Sequence, residues 1–349
     1  MVEDTLERRR RVLGADHPDT LTSAHDLAAT LHNLGQYAEA RRMVEDTLER
    51  RRRVLGDDHP NTLTYTHSLA ATLHNLGQYT EARRIDEDTL ERRRRVLGDD
   101  HPDTLDSAHS LAVTLHSLGQ YAEARRTHED TLERRRRVLG DDHPDTLDSA
   151  HSLAATLHGL GQYAEARRMV EDTLERRRRV LGDDHPNTLG SAHSLALILH
   201  SLGQHAEAHR MHEDTLERRR RVLGADHPDT LTSAHDLAVT LHNLGRYAEA
   251  RRIDEDTLER RRRVLGDDHP STLRSAHSLA LTMGSLREHP AAAQLLKDTR
   301  IRSRRILGDD DEFTRKVTKT LAAALTAAGR PHEAHKLLSP RNGKRRKHR

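Results

Sequence analysis

The dipeptide His-Pro recurs at His17, His59, His101, His143, His185, His227 and His269, each 42 residues after the last. A fixed period of this length restricts a chain to folds built by stacking one supersecondary unit, so it has to be read before any single motif. Repeats 1 and 6 differ at only four of 42 positions: Ala29/Val239, Gln36/Arg246, Met43/Ile253 and Val44/Asp254. Such near-identity points to recent duplication, in which a residue can be copied without having been selected. A degenerate eighth repeat begins at Asp311.

The signals inside one repeat are helical. Pro18 suits the first turn of a helix, where a missing N–H costs nothing, and Asp19 suits its positive end. Leu21, Ala24, Leu27, Ala28, Leu31 and Leu34 follow at spacings of three and four, which predicts helix A over about 18–34. Gly35 stops it. Helix B is predicted over about 37–54, with Tyr37, Ala40, Met43 or Val44, Leu48, Val54 and Leu55 as its apolar residues, closed by Gly56-Asp57-Asp58-His59-Pro60. Connections this short force antiparallel neighbours. One pair cannot bury its own stripe, whereas stacked pairs can. With one Phe, six Tyr and no Trp to fill a wide core, a thin layered array is the expected class.

The residues Leu27, Ala28, Leu31, Gly35, Tyr37 and Ala40, and their equivalents every 42 residues, resemble the tetratricopeptide signature. The longer unit and its Leu-Gly-Asp-Asp-His-Pro turn are similar to the kinesin-light-chain-like subclass. The resemblance spans about 1–338. It implies an all-α fold, a right-handed α-solenoid of antiparallel helix pairs. The expected organisation is a helix-B half repeat over 1–16, seven full repeats over 17–310, a capping repeat over 311–338 and a disordered basic tail over 339–349.

Charge is uneven. Residues 1–286 carry 41 Lys/Arg against 49 Asp/Glu, and residues 287–349 carry 17 against 7. The basic balance therefore belongs to the C-terminal end, and nucleic acid is not the expected partner of the body. Absence of Cys excludes thiolate and disulfide chemistry, and no apolar run reaches the ~20 residues of a membrane span. The charged opening MVEDTLERRRR is unlike a secretory signal, so a cytoplasmic location is expected.

Helix B carries runs such as Glu45-Asp46-Thr47-Leu48-Glu49-Arg50-Arg51-Arg52-Arg53. They read as a salt-bridged outer face, with Asp46–Arg50 in the favourable i,i+4 order. Ser23, His25 and Asp26 recur together but cannot converge from one helical turn on a reacting atom, and no phosphate-binding loop is present, so no enzyme is expected.

Helix A carries two histidines seven residues apart, which places both on one face. The pairs beyond His25/His32 are His67/His74, His109/His116, His151/His158, His193/His200 and His235/His242. The resemblance implies that this face lines the concave groove, with Asn75, Ser110, Ser152, Ser194 and Asn243 beside the histidines. Three readings stay open for this ladder: a copied surface feature, a peptide-binding groove, or a metal site. The i,i+7 spacing is too long for one ion, so neither metal nor other cofactor is expected. Imidazoles titrating near ~6.5 would hold a protein or peptide partner, acidic in character, more tightly on mild acidification. The implied function is a protein-interaction scaffold. A second reading is the sensor or autoinhibitory arm of a larger bacterial signalling ATPase.

Overall fold

Each His-Pro turn starts its helix by a side-chain cap. His59 stands at the N-cap with Pro60 behind it, and its Nδ1 accepts the Asn61 backbone N–H at 3.1 Å. His101, His143, His185, His227 and His269 do the same for Asp103, Asp145, Asn187, Asp229 and Ser271. An imidazole thus takes the place usually held by Ser or Asp, and the period is set by a capping device.

Helix A ends in a left-handed turn. Gly77 has φ 75°, and the Gln78 N–H returns to the Leu73 carbonyl at 2.9 Å, satisfying a carbonyl that the helix end would orphan. Repeat 7 has Arg287 at that place, and it still adopts φ 64°. The array enforces there a conformation that a side chain disfavours.

The computed structural model describes residues 2–33 and 36–338. Among these it is 84% helical, with 17 helices in a regular repeat and no strand. The chain divides into two compact units, Met1–Val180 and Leu181–Arg349. In the first, a lone helix over Val2–Leu13 precedes the pairs Pro18–Asn33/Tyr37–Leu55, Pro60–Asn75/Tyr79–Leu97, Pro102–Ser117/Tyr121–Leu139 and Pro144–Gly159/Tyr163–Leu181. In the second, the pairs are Pro186–Ser201/His205–Leu223, Pro228–Asn243/Tyr247–Leu265, Pro270–Ser285/His289–Leu307 and Glu312–Ala327/Pro331–Leu338. The tail expected to be disordered, 339–349, lies outside the described residues.

Small residues set the helix spacing. Ala40, Ala82, Ala124, Ala166, Ala208 and Ala250 are all fully buried where helix B crosses helix A. The leading helix gives Leu6 to a cluster with Ala24, Leu27, Leu31 and Ala40, so the half repeat is packed on repeat 1. The degenerate eighth repeat closes a cluster around Leu296, Val317, Leu321 and Leu325.

Two expectations for helix B need correction. Val54 is 48% exposed, as are its equivalents to similar degree, because the helix runs past its neighbour at that end. The arginine runs are only partly an outer face. Arg50 does pair with Asp46 and Asp16 at 3.0 Å in the open. Arg51, Arg93, Arg135, Arg177, Arg219 and Arg261, however, are buried. Each sits three residues beyond a core leucine (Leu48 before Arg51), so the helical period turns it inward.

Candidate functional site

The two histidines of each helix A have different surroundings, although both line the same face. The first of the pair is the deeper. Burial, reinforced by the nearby Arg93, pushes His67 down to about 4. Burial and the Arg135 guanidinium push His109 down to about 3. The Nδ1 atoms of both are enclosed without a hydrogen-bond partner. His235 is lowered for the same reason, His151 is half-buried, and His193 is buried with its Nε2 3.2 Å from Asp236.

The second histidine ties one repeat to the next. His74 Nε2 meets Ser117 Oγ at 2.9 Å, and His116 Nδ1 meets Thr156 Oγ1 at 3.1 Å. In the second unit His200 and His242 pair with Thr240 and Thr282 at 3.2 and 3.3 Å. Each ring also stands edge-on or tilted against the aromatic opening its own helix B: His74 on Tyr79, His116 on Tyr121, His158 on Tyr163 and His242 on Tyr247, at 5.1–5.2 Å. The expected groove amides take part as well. Asn75 Nδ2 lies 2.6 Å from His32 Nε2, and Asn243 Nδ2 lies 3.0 Å from His200 Nε2. Ser110, Ser152 and Ser194 are half-buried on the same face.

In the first unit these side chains enclose real space. His67, His74, His109, Asp106 and Arg135 line an open cavity of about 340 Å³, which Asp145 and Asp148 also border. His25, His32, His67 and Ala71 line a second, of about 230 Å³. His25, His32, His67, His74 and His109 are thereby brought together at two depressions between successive A helices of the first unit. Among the described residues no group of three or more His, Asp or Glu is placed to hold a metal ion.

Acidification does not charge this face as the sequence suggests. His67 and His109 stay neutral through the mildly acid range because taking a charge out of water is costly. They offer one donor and one acceptor each, and no positive field. Charge enters instead from helix B, through the buried arginine. Arg135 Nη1 donates to the Asp145 carbonyl at 2.8 Å and to Ser149 Oγ at 2.9 Å, and its Nη2 pairs with Asp106. One side chain thereby joins its own repeat's helix A to the next. Sequence reasoning missed it by treating the run of four arginines as a single solvated face.

Comparison with known proteins settles the family. Models of the tetratricopeptide repeat match residues 1–61, 65–221 and 230–312. The chain belongs to the tetratricopeptide repeat family. A kinesin-light-chain-like structure with nearly identical repeats, from Podosopora anserina, is 31% identical over 59% of this chain and 97% of that one, with a TM-score of 0.51. The apo quorum sensor NprR from B. thuringiensis is 15% identical over 96% of this chain and 89% of its own, with a TM-score of 0.67. A Rap protein complexed with competence and sporulation factor is 10% identical over 90% and 99%, with a TM-score of 0.55. The last two show the fold alone. No curated protein matches the chain. No described helix is long and apolar enough to cross a membrane.

Proposed function

We propose that this tetratricopeptide repeat protein is an interaction scaffold whose helix-A faces hold an extended segment of a partner protein. The observation that carries this is the pair of depressions lined by His25, His32, His67, His74 and His109. Neutral rings held at fixed spacing present donors and acceptors to a peptide backbone, and the surrounding Ala71 and Val113 give apolar contact. Structural relatives that sense a signal or are complexed with a factor support the use of this fold for recognition. Around the 340 Å³ cavity stand three carboxylates, Asp106, Asp145 and Asp148, against two guanidiniums, Arg135 on Asp106 and Arg177 on Asp148. That stretch therefore suits a neutral or basic part of the partner, in place of the acidic segment suggested by the histidines alone.

The test is capture of a partner by the whole chain and by a variant carrying His67→Leu and His109→Leu, matched for helix content. A partner that binds the parent and is lost by the variant supports the reading, and its binding should be flat between about pH 6 and 8. Equal retention by both proteins would move recognition off the helix-A face.

A further inference from the structure

The buried arginine of helix B is held in a recurring way, and repeat 5 departs from it. In Arg93, Arg135 and Arg261 the Nη1 reaches forward to the next helix A, and in five repeats the Nη2 reaches the side chain 29 residues earlier. That partner is Thr22 for Arg51 at 3.0 Å, Thr64 for Arg93 at 3.3 Å and Thr232 for Arg261 at 3.5 Å. For Arg135 and Arg177 it is a carboxylate, Asp106 and Asp148. In repeat 5 the corresponding residue is Gly190.

Arg219 keeps the forward bonds, to the Asp229 carbonyl at 2.9 Å and Ser233 Oγ at 2.8 Å. Among the described residues its Nη2 has no hydrogen-bond partner, and the residue is only 6% exposed; its enclosed Nε is unpartnered, as it is in Arg51, Arg93 and Arg177. A Cβ built on Gly190 would meet nothing within 4 Å, so the place that Asp106 fills at Arg135 is open space here. Two carboxylates, Asp229 and Asp236, act on Arg219 without a hydrogen bond to it, and Asp236 is engaged by His193 at 3.2 Å. A buried guanidinium short of an acceptor oxygen is costly, and a ligand oxygen supplied to it is worth more than one supplied at the surface.

We propose that Arg219, uncovered by Gly190, is a subsite for a carboxylate side chain of the bound peptide. The proposal rests on the groove reading above and adds a position and a chemistry to it. The opening takes a group the size of an aspartate side chain, since that is what occupies it at Arg135 and Arg177. A peptide carrying an acidic residue at the register of repeat 5 is thereby distinguished from one without.

The experiment uses the full chain labelled with 15N-arginine, titrated with sodium acetate against sodium chloride at equal ionic strength. The Arg219 Nε–Hε signal is assigned by its loss in Arg219→Lys and by its displacement in Gly190→Asp. The expected result is a saturable shift with acetate alone, abolished in Gly190→Asp, where an internal carboxylate closes the site, and kept in Gly190→Ala. With a captured acidic partner, Gly190→Asp should lower affinity about tenfold or more, as for loss of a charged hydrogen bond, and Gly190→Ala by less than about threefold. No acetate-specific shift, or the same shift in Gly190→Asp, overturns the subsite. A partner lost by the histidine variant but bound equally by Gly190→Asp also overturns the subsite and leaves the groove reading standing.

Discussion

Helix B of repeat 2 and helix B of repeat 3 have the same length, caps and core leucine, yet they bury opposite chemistry at one place. Repeat 2 has Asp86 there and repeat 3 has His128, and each is enclosed almost completely. Asp86 Oδ2 accepts from Thr114 at 2.9 Å, its Oδ1 has no partner, and burial pushes the carboxyl up to about 7. His128 stands edge-on to His109 at 5.5 Å, its Nδ1 has no partner, and burial pushes it down to about 3. Repeats 1 and 4 put Val44 and Val170 at this position, also buried. The array therefore varies at this one enclosed place while, through repeats 1 to 6, it copies the buried Ala40 and Leu48 positions beside it unchanged. A fold held by many weak, repeated contacts tolerates an occasional ionisable group in its core, and the tolerance carries a pH dependence.

The two groups act in opposite directions. Unfolded, Asp86 loses its proton near ~4, whereas folded it holds that proton to about 7. Its contribution is complete below the lower value and is lost as pH rises through the upper one. Unfolded, His128 gains a proton near ~6.5, whereas folded it does so only near about 3. Its contribution is complete above the upper value and is lost as pH falls toward the lower one.

The largest effect is expected from erasing the acid. Asp86→Val, which copies repeats 1 and 4, should stabilise the chain by roughly 4 kcal/mol at about pH 8 and give no gain near pH 4. Urea unfolding followed by circular dichroism at both pH values measures it, and an equal gain at both would refute the assigned titration. Next comes His128→Val. It should protect by roughly 3 kcal/mol near pH 4 and change neutral stability by less than about 1.5 kcal/mol, since valine is already used at this place. Smallest is Thr114→Val, which removes the hydroxyl that Asp86 accepts from. It should cost about 1 kcal/mol in the parent and almost nothing in the Asp86→Val background. Additive costs would mean that the two side chains do not act as a pair.

Much of this was legible from residue order. The 42-residue period, Pro18, the glycine after helix A and the small Ala40 specify paired helices and their spacing, because each acts through local backbone geometry. The first and second histidines of each pair could be placed on one face by the same reasoning. Their separate fates could not. His67 is enclosed by what the neighbouring repeats place around it, and His74 is tied to Ser117, 43 residues away. The buried arginines left a signal that charge obscured, since Arg51 continues the stripe of Val44 and Leu48 at spacings of four and three.

The sequence by itself determined the helices, their boundaries to within a residue or two, the pairing and the family. Those follow from capping, glycine conformations and apolar periodicity, all of them properties of neighbouring residues. Tertiary structure alone decided which imidazoles stay neutral, which arginine in a run of four is buried, and that Gly190 leaves Arg219 uncovered. These depend on desolvation and on partners supplied by other helices, and desolvation is a property of the packed array that no single repeat possesses.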